Sequence, residues 1–244
     1  MAQTAFRIAN KLFKHCYPVY FSFYSAWKAV SDRRERAFFR QSVKRDMVVV
    51  DVGANIGAYT SFFCKLLGSS GRVHAFEPAE TNFVHLEETV RRATNVSLTR
   101  AAVGDSSGTT MLYLSNEMNV DHRAFDSQDG RTGAEVPLIA LDDYFPAGSR
   151  IDVIKIDVQG YELSVLKGAE RVLRDNLHII VLMEFWPYGL EKAATNPLEI
   201  IAFAREMDLS VKPLAKDAAI FEKLLSGSKG LGDYCNVILA HQNN

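Results

Sequence analysis

Long apolar runs are scarce in this chain of 244 residues. The uncharged stretch 16–27 is only 12 residues long and is broken by Pro18, Ser22 and Ser25. A bilayer span needs about 20 apolar residues, so none is expected there. No small-residue cleavage site follows it, which argues against a secretory signal. Cysteine is equally sparse: Cys16, Cys64 and Cys235 cannot all pair and lack metal-ligand spacing. A reduced, cytoplasmic compartment is the simpler reading. There is no G-x-S-x-G elbow, which leaves an α/β-hydrolase without support, and no internal repeat or low-complexity tract. Nor does one sign of charge dominate. With 28 Lys+Arg against 29 Asp+Glu, a globally basic nucleic-acid binder is disfavoured. What remains is an ordinary globular composition, long enough to bury a sizeable core unaided.

The near-zero net charge hides an asymmetry. Residues 1–45 hold 10 Lys/Arg and 2 Asp/Glu, a net of +8, so residues 46–244 hold 18 and 27, a net of −9. The basic end is also aromatic, with Phe6, Phe13, Tyr17, Tyr20, Phe21, Phe23, Tyr24 and Trp27. We read residues 1–45 as a helical extension and 46–244 as the main domain. Residues 1–30 suit an aromatic lid or packing helix, and also a basic interfacial helix drawn to anionic lipid; the lid or packing role is the favoured one.

From residue 47 onward, short β-branched runs alternate with helical patterns. Strands are expected at 47–52, 73–76, 96–103, 151–156, 178–183, 210–214 and 234–240, and helices at 58–67, 81–92, 162–174 and 197–207. An inserted antiparallel ribbon is expected at 109–114 and 135–139, around a polar loop over 115–133. The Ser/Gly run 225–232 reads as a surface loop or flap. Such alternation predicts an α/β fold with a mostly parallel, doubly wound sheet, closing on an antiparallel pair.

The richest segment is Val48-Val49-Val50-Asp51-Val52-Gly53-Ala54-Asn55-Ile56-Gly57-Ala58-Tyr59-Thr60. A strand enters a glycine turn at a helix start, where free N–H groups favour an anionic ligand group. In the dinucleotide fingerprint the second glycine lets pyrophosphate approach. Here that position is Asn55, which obstructs it. A ligand bearing a carboxylate and an ammonium suits the turn better, with Asp51 available to the ammonium; that is the amino-acid end of S-adenosylmethionine. Glu77, before Pro78 at the second strand's exit, can accept ribose hydroxyls. Ala102, Val103 and Asp105 at the third strand's exit can flank an adenine.

These segments, together with Leu141-Asp142-Asp143 and Lys155-Ile156-Asp157-Val158-Gln159-Gly160-Tyr161-Glu162, resemble the FkbM family of class I S-adenosylmethionine-dependent methyltransferases. The likeness spans about residues 47–185, extends through the final strands and leaves out residues 1–45. At residue 159 this chain has Gln where the family pattern has Glu. The resemblance implies a Rossmann-like, seven-stranded sheet with the last strand antiparallel, and O-methyl transfer to a hydroxyl of a sugar or similar small molecule. It also implies that Asp51, Gly53, Asn55 and Gly57 hold the methionine end, with Ala54, Tyr59, Thr60 and Pro78 as further cofactor contacts. Glu77 would meet the ribose, and Ala102–Asp105 would lie near adenine.

An aliphatic hydroxyl needs its proton removed as the new bond forms. The carboxylates at strand exits are Asp157, read as base or hydroxyl-orienting group and also as a cofactor contact, and Glu184, read as a binder of sugar hydroxyls beside Trp186. Each can instead be a plain turn carboxylate. Together they can ligate Mg²⁺, but no third ligand with suitable spacing accompanies them, so a metal is not favoured. His122, in the polar insertion with Arg123, is the second candidate base. His74 and His178 adjoin strands and read as structural, and Lys155, inside an apolar strand, needs a carboxylate partner. The rivals from other classes are an NAD-type oxidoreductase and a non-catalytic nucleotide-binding module.

Overall fold

A computed structural model describes residues 16–114, 122–124, 130–227, 230 and 232–242. Two helices open it, α1 (Tyr17–Ser31) and α2 (Arg33–Ser42). The main body follows as β1 (Val48–Val52), α3 (Ala58–Leu67), β2 (Arg72–Phe76), α4 (Glu80–Val90), β3 (Val96–Thr99) and β4 (Ala102–Val103). Next come β5 (Gly108–Leu114), β6 (Thr132–Ile139), α5 (Leu141–Tyr144), β7 (Val153–Ile156), α6 (Glu162–Lys167), α7 (Glu170–Asp175) and β8 (Ile180–Phe185). The chain closes with α8 (Pro187–Lys192), α9 (Leu198–Glu206), β9 (Leu209–Pro213), α10 (Ala218–Leu225) and β10 (Cys235–His241). Among the described residues no helix is long and apolar enough to cross a membrane.

Seven strands form one sheet in the order β3-β2-β1-β7-β8-β10-β9. All neighbours are parallel except β10, which runs antiparallel to both β8 and β9. The strand order reverses between β1 and β7, and ligands of open parallel sheets sit beyond the strand carboxyl ends at such a point. Side chains alternate between the two faces. Val50, Val52, Ile154, Ile156, Val181, Met183 and Phe185 share one core cluster with Leu163, Leu166 and Phe203. Val49, Val153 and Leu182 share a second, on the opposite face, with Phe39, Phe63 and Leu67. By the same alternation Asp51, Lys155 and Glu184 point to the second face, the side of α2 and α3.

Four elements differ from the sequence expectation. The single strand expected at 96–103 is two, because a tight turn, with the Ala101 N–H bonded to the Thr99 carbonyl at 3.1 Å, redirects the chain. β4 then leaves the main sheet and pairs with β6, making the expected ribbon a three-stranded sheet. The helix expected at 162–174 breaks at Gly168, where a Cβ would lie 1.8 Å from the Gly104 carbonyl oxygen. Asp142 caps the restarted helix, accepting from the N–H groups of Arg171 at 2.8 Å and Val172 at 2.9 Å. Finally, β8 runs on through Glu184, which pairs with Asn236 of β10 instead of following the strand. The loop expected over 115–133 lies outside the described residues except near 122–124 and 130–133, as do residues 228, 229 and 231 of the Ser/Gly run.

The basic extension shares the core of the main body. Phe39 is fully buried, edge-on to Phe63 with ring centroids 4.8 Å apart. Arg34 bridges to Asp217 at 2.9 Å, and Glu35 accepts from the Asn236 amide at 2.7 Å. Phe39→Ala is therefore expected to lower unfolding free energy by about 3–5 kcal/mol, the usual cost of emptying a buried phenylalanine site. Urea denaturation checks this, and a loss below about 1 kcal/mol would mean that α2 is a detachable appendage.

Candidate active site

β1 delivers the chain into a turn whose backbone is left-handed at Gly53, Asn55 and Gly57. Gly53 is required by crowding: a Cβ there would lie 2.0 Å from the carbonyl oxygen of Asp157, where β7 makes its exit. Asn55 tolerates positive φ because its short amide can bond locally, and its Oδ1 accepts from the Ile56 N–H at 2.7 Å. Every N–H from residue 53 to 57 is used internally. Gly53 and Ala54 donate to the Phe76 carbonyl, Gly57 to the Ala54 carbonyl, and Asn55 to Glu77 Oε2 at 2.8 Å. The donors left for an anion are thus the first-turn N–H groups of α3, where Ala58 and Tyr59 line the cavity.

That cavity, about 370 Å³, spans the reversal point of the sheet. One side runs from Gly53–Ile56 past Glu77 and Pro78 to Ala101–Val103; the other holds Lys155, Asp157, Gln159, Glu184 and Trp186, with Tyr24, Trp27 and Lys28 of α1 and His122–Ala124 completing the wall. A volume of this size falls within the usual range for small-molecule sites.

A buried charge row forms the floor. Asp51 and Lys155 are register partners across β1 and β7. The Lys155 ammonium lies 3.3 Å from Asp51 and 3.6 Å from Asp157, and 5.1 Å from the Tyr59 ring centroid. Thr60 donates to the second Asp51 oxygen at 2.7 Å. Burial alone would pull the Lys155 pKa down, but Asp51 and Asp157 outweigh it and hold it above the ordinary lysine value. Asp157 moves the other way. Desolvation opposes its charge, yet Lys155 and Lys28 keep the carboxyl below the usual aspartate range. Gln159, left-handed at φ 56°, donates its amide to Asp157 at 3.0 Å and to Glu184 at 3.3 Å. Glu184 is pushed well above the ordinary glutamate range by burial and then by the neighbouring charge of Asp157.

Two further buried carboxyls brace turns. Glu77 accepts from the N–H groups of Asn55 and Ala79, which fixes the β1 turn to the β2 exit; burial raises its pKa to about 7. Glu162 accepts from the Gly160 N–H at 3.0 Å, and burial raises it to about 7 as well.

Of the sequence candidates, Gly53, Ala54, Asn55, Tyr59, Glu77, Pro78, Ala102, Val103, His122, Asp157 and Glu184 meet at this cavity. Asp51, Gly57 and Thr60 lie behind its wall. Asp51 is fully buried and engaged by Lys155 and Thr60, and Gly57 faces Leu86 and Thr89. Asp105 is exposed and outside the wall, because β4 turns off to pair with β6. Lys155 has the carboxylate partners that a buried ammonium requires. His74 sits edge-on to Tyr144 and Phe145, its pKa lowered to about 4 by burial. Sequence reasoning favoured a lid or packing role for residues 1–30 without naming Tyr24, Trp27 and Lys28 as wall residues, and it missed the Gln159 bridge. The clustering of Tyr24, Trp27 and Lys28 at helical spacing was the available signal for the first.

A family model, the methyltransferase FkbM domain, matches residues 51–209. The chain is 29% identical over 185 residues to methyltransferase sdnD of Sordaria araneosa, covering 62% of this chain and 71% of that one. It is 28% identical over 193 residues to the hexuronic acid methyltransferase AglP of Haloferax volcanii, covering 76% and 74%. Among solved structures it is similar in fold to a candidate rRNA methylase from Clostridium thermocellum, at 11% identity and a TM-score of 0.50 over 85% of this chain and 95% of that one.

The raised carboxyls have a measurable consequence. Between its ordinary value of 4.5 and about 7, Glu162 holds a proton in the folded chain that it has lost in the unfolded one. Its contribution to stability is full below that window and falls as pH rises through 7. Glu162→Gln removes the titration, so the drop in unfolding free energy from pH 5 to pH 8 should be smaller than in the unaltered chain. Urea titrations at both pH values check this, and an unchanged drop would place the titrating group elsewhere.

Proposed function

The chain belongs to the FkbM methyltransferase domain family, and from that premise we propose that it methylates a hydroxyl of a sugar or glycan acceptor with S-adenosylmethionine as donor. One observation carries the reading: Asp157 and Glu184, bridged by Gln159, line the same cavity as the glycine turn and Glu77. The donor set fits S-adenosylmethionine in series. The first-turn N–H groups at Ala58 and Tyr59 suit its carboxylate, Glu77 the ribose hydroxyls, and the small apolar wall Ala101–Val103 the adenine. Asp51 supports the turn from behind through Lys155 and Thr60. When bound, S-adenosylmethionine supplies a methyl group on a positively charged sulfur.

The chain's own residues then have to align a hydroxyl and take its proton. Proton acceptance is most effective when the base has a pKa near the working pH. Glu184, raised by burial and by the charge of Asp157, is the more basic of the two carboxylates, whereas Lys155 and Lys28 stabilise the charge of Asp157. We therefore assign proton removal to Glu184 and hydroxyl alignment to Asp157, with His122 as a further group on the wall. No metal is invoked, and among the described residues no group of three His, Cys, Asp or Glu side chains could hold one. Arg123, 5.4 Å over the Trp186 ring, places a cation and an aromatic side chain together on the cavity wall. That combination suits an acidic sugar, in keeping with the hexuronic acid relative.

Glu184→Gln is expected to lower kcat by about 10²–10⁴-fold while leaving S-adenosylmethionine affinity within about twofold, and to remove the rise of kcat with pH. Labelled-methyl transfer onto a panel of uronic acid glycosides and other hydroxylated acceptors provides the rates. Asp157→Ala should fold, bind the donor and lose most transfer; retained turnover would remove Asp157 from the chemistry. Glu77→Ala should weaken donor binding about tenfold, through the lost ribose contacts and a loosened turn. Calorimetry tests the premise itself: no heat with S-adenosylmethionine, or binding of NAD instead, would overturn the proposed function.

A further inference from the structure

The outer face of α1 has no part in the chemistry above. A surface helix of a globular domain turns one apolar stripe inward and charges outward, but α1 is apolar on both sides. Inward, Tyr17 stacks on His85 with ring centroids 3.6 Å apart and bonds to Thr89 at 2.9 Å, Tyr20 packs on Ile56, and Tyr24 reaches the cavity. Outward, Val19, Phe23, Trp27 and Val30 are 41%, 70%, 61% and 72% exposed. Their spacing of four, four and three residues makes one stripe, and the neighbouring Ser22, Ala26 and Ala29 are exposed and uncharged. The single charge between residues 16 and 31, Lys28, is tied to Asp32 at 2.7 Å and lines the cavity.

Cations bracket this stripe. Arg7, Lys11 and Lys14 precede it in sequence, and the exposed Arg33, Arg34, Arg40, Lys44 and Arg45 follow. The net charge of +8 in residues 1–45 against −9 in the remainder orients the molecule toward an anionic surface by this end. We propose that the outer face of α1 docks on an anionic lipid bilayer, its aromatic and aliphatic side chains entering the headgroup region and the flanking cations meeting lipid phosphates. Interfacial helices bind in this way, through buried apolar area plus attraction to anionic lipid, and tryptophan favours the headgroup level. Trp27 belongs to both the stripe and the cavity wall, so docking brings that part of the wall to the membrane surface. A second copy of the chain is a poorer occupant, since pairing this face with itself brings two strongly basic ends together. A nucleic acid gains little from Val19 and Val30.

The test uses the full chain and does not read methyl transfer, so it can fail or succeed independently of the proposed function. In cosedimentation, the chain should partition onto phosphatidylcholine–phosphatidylglycerol vesicles far more than onto phosphatidylcholine alone, and less at high salt. Its tryptophan emission should shift to the blue on the mixed vesicles. Trp186, the other of the two tryptophans, is 6% exposed and already shielded. The double variant Phe23→Asp, Val30→Asp, at positions outside the cavity wall, should lose partition about tenfold or more with an unchanged melting temperature. Absence of partition onto mixed vesicles, or equal partition by the variant, overturns the proposal. So does a dimer in sedimentation velocity that the variant dissolves, because the face would then belong to a second copy.

Discussion

A lysine ammonium buried inside a parallel sheet sets the terms for everything around it. Lys155 is 5% exposed in the middle of the sheet, where an unpaired charge would cost far more than a domain's net stability can tolerate. Its pairing with Asp51 in register and with Asp157 just beyond makes the charge acceptable, and Thr60 fixes the remaining Asp51 oxygen. Breaking such a pair from one side commonly costs about 3–5 kcal/mol, while replacing both partners by apolar groups can be neutral. Stability alone therefore does not account for the charge row. Its placement is informative: it spans β1 and β7, where the strand order reverses and where an α/β sheet offers its crevice.

The row also divides protons unequally among the acids above it. Asp157 is close enough to Lys155 to stay ionised, and its negative charge, added to desolvation, raises Glu184 one strand further on. Gln159 can donate to both because it carries an amide; a carboxylate at that position could not donate and would set a further negative charge beside Asp157. The left-handed backbone that aims this amide costs of order 1 kcal/mol for a residue with a Cβ. Two acids with opposite shifts, joined by one neutral donor, are an arrangement that separates an aligning group from a proton acceptor. Glu77 and Glu162, although comparably buried, are tied to turn geometry by backbone N–H groups, which engage both oxygens of Glu77 and one of Glu162.

Much of this was legible in the sequence. The alternation of β-branched runs with helical periods located six of the seven main-sheet strands to within about two residues, and Glu77 and Asp157 stood at strand exits by position alone. Failures occurred where tertiary contacts overrode local pattern. The break at Gly168 is set by the backbone of Gly104, which lies 64 residues earlier in the chain and is invisible to any helical periodicity. The departure of β4 reflects pairing with β6, more than thirty residues later. Asp105 followed a strand that was expected to continue, and so was assigned to the crevice. Glu184 was placed after its strand because an acid in an apolar run resembles a terminus; only the neighbouring β10, with Asn236 opposite, shows that the run continues. The role of Gln159 as a bridge depends on the approach of β7 and β8, which sequence spacing does not carry.

The family match begins at residue 51, yet the cavity is not closed by residues after that point. Tyr24, Trp27 and Lys28 form part of its wall, and Lys28 helps to hold Asp157 ionised across the gap. On the proposed reading the cavity therefore has two halves with different origins. The donor half is made by strand exits and a turn that must satisfy strict backbone constraints: a glycine pressed against Asp157, five N–H groups committed internally, and a glutamate holding the turn to its neighbour. The acceptor half joins Asp157, Glu184 and Trp186 of that frame to α1 and to His122–Ala124 of the polar insertion, which the paired backbones of Arg123 and Tyr113 hold to β5. Function on a common fold resides in the sites grafted onto it, and here the grafted part is α1. A helix that is apolar on both faces is poorly suited to remain half in water, so the side chains that shape the acceptor half belong to the same element whose outer face has most to gain from leaving solvent. On the two proposals together, acceptor choice and membrane contact are coupled through one helix of 15 residues.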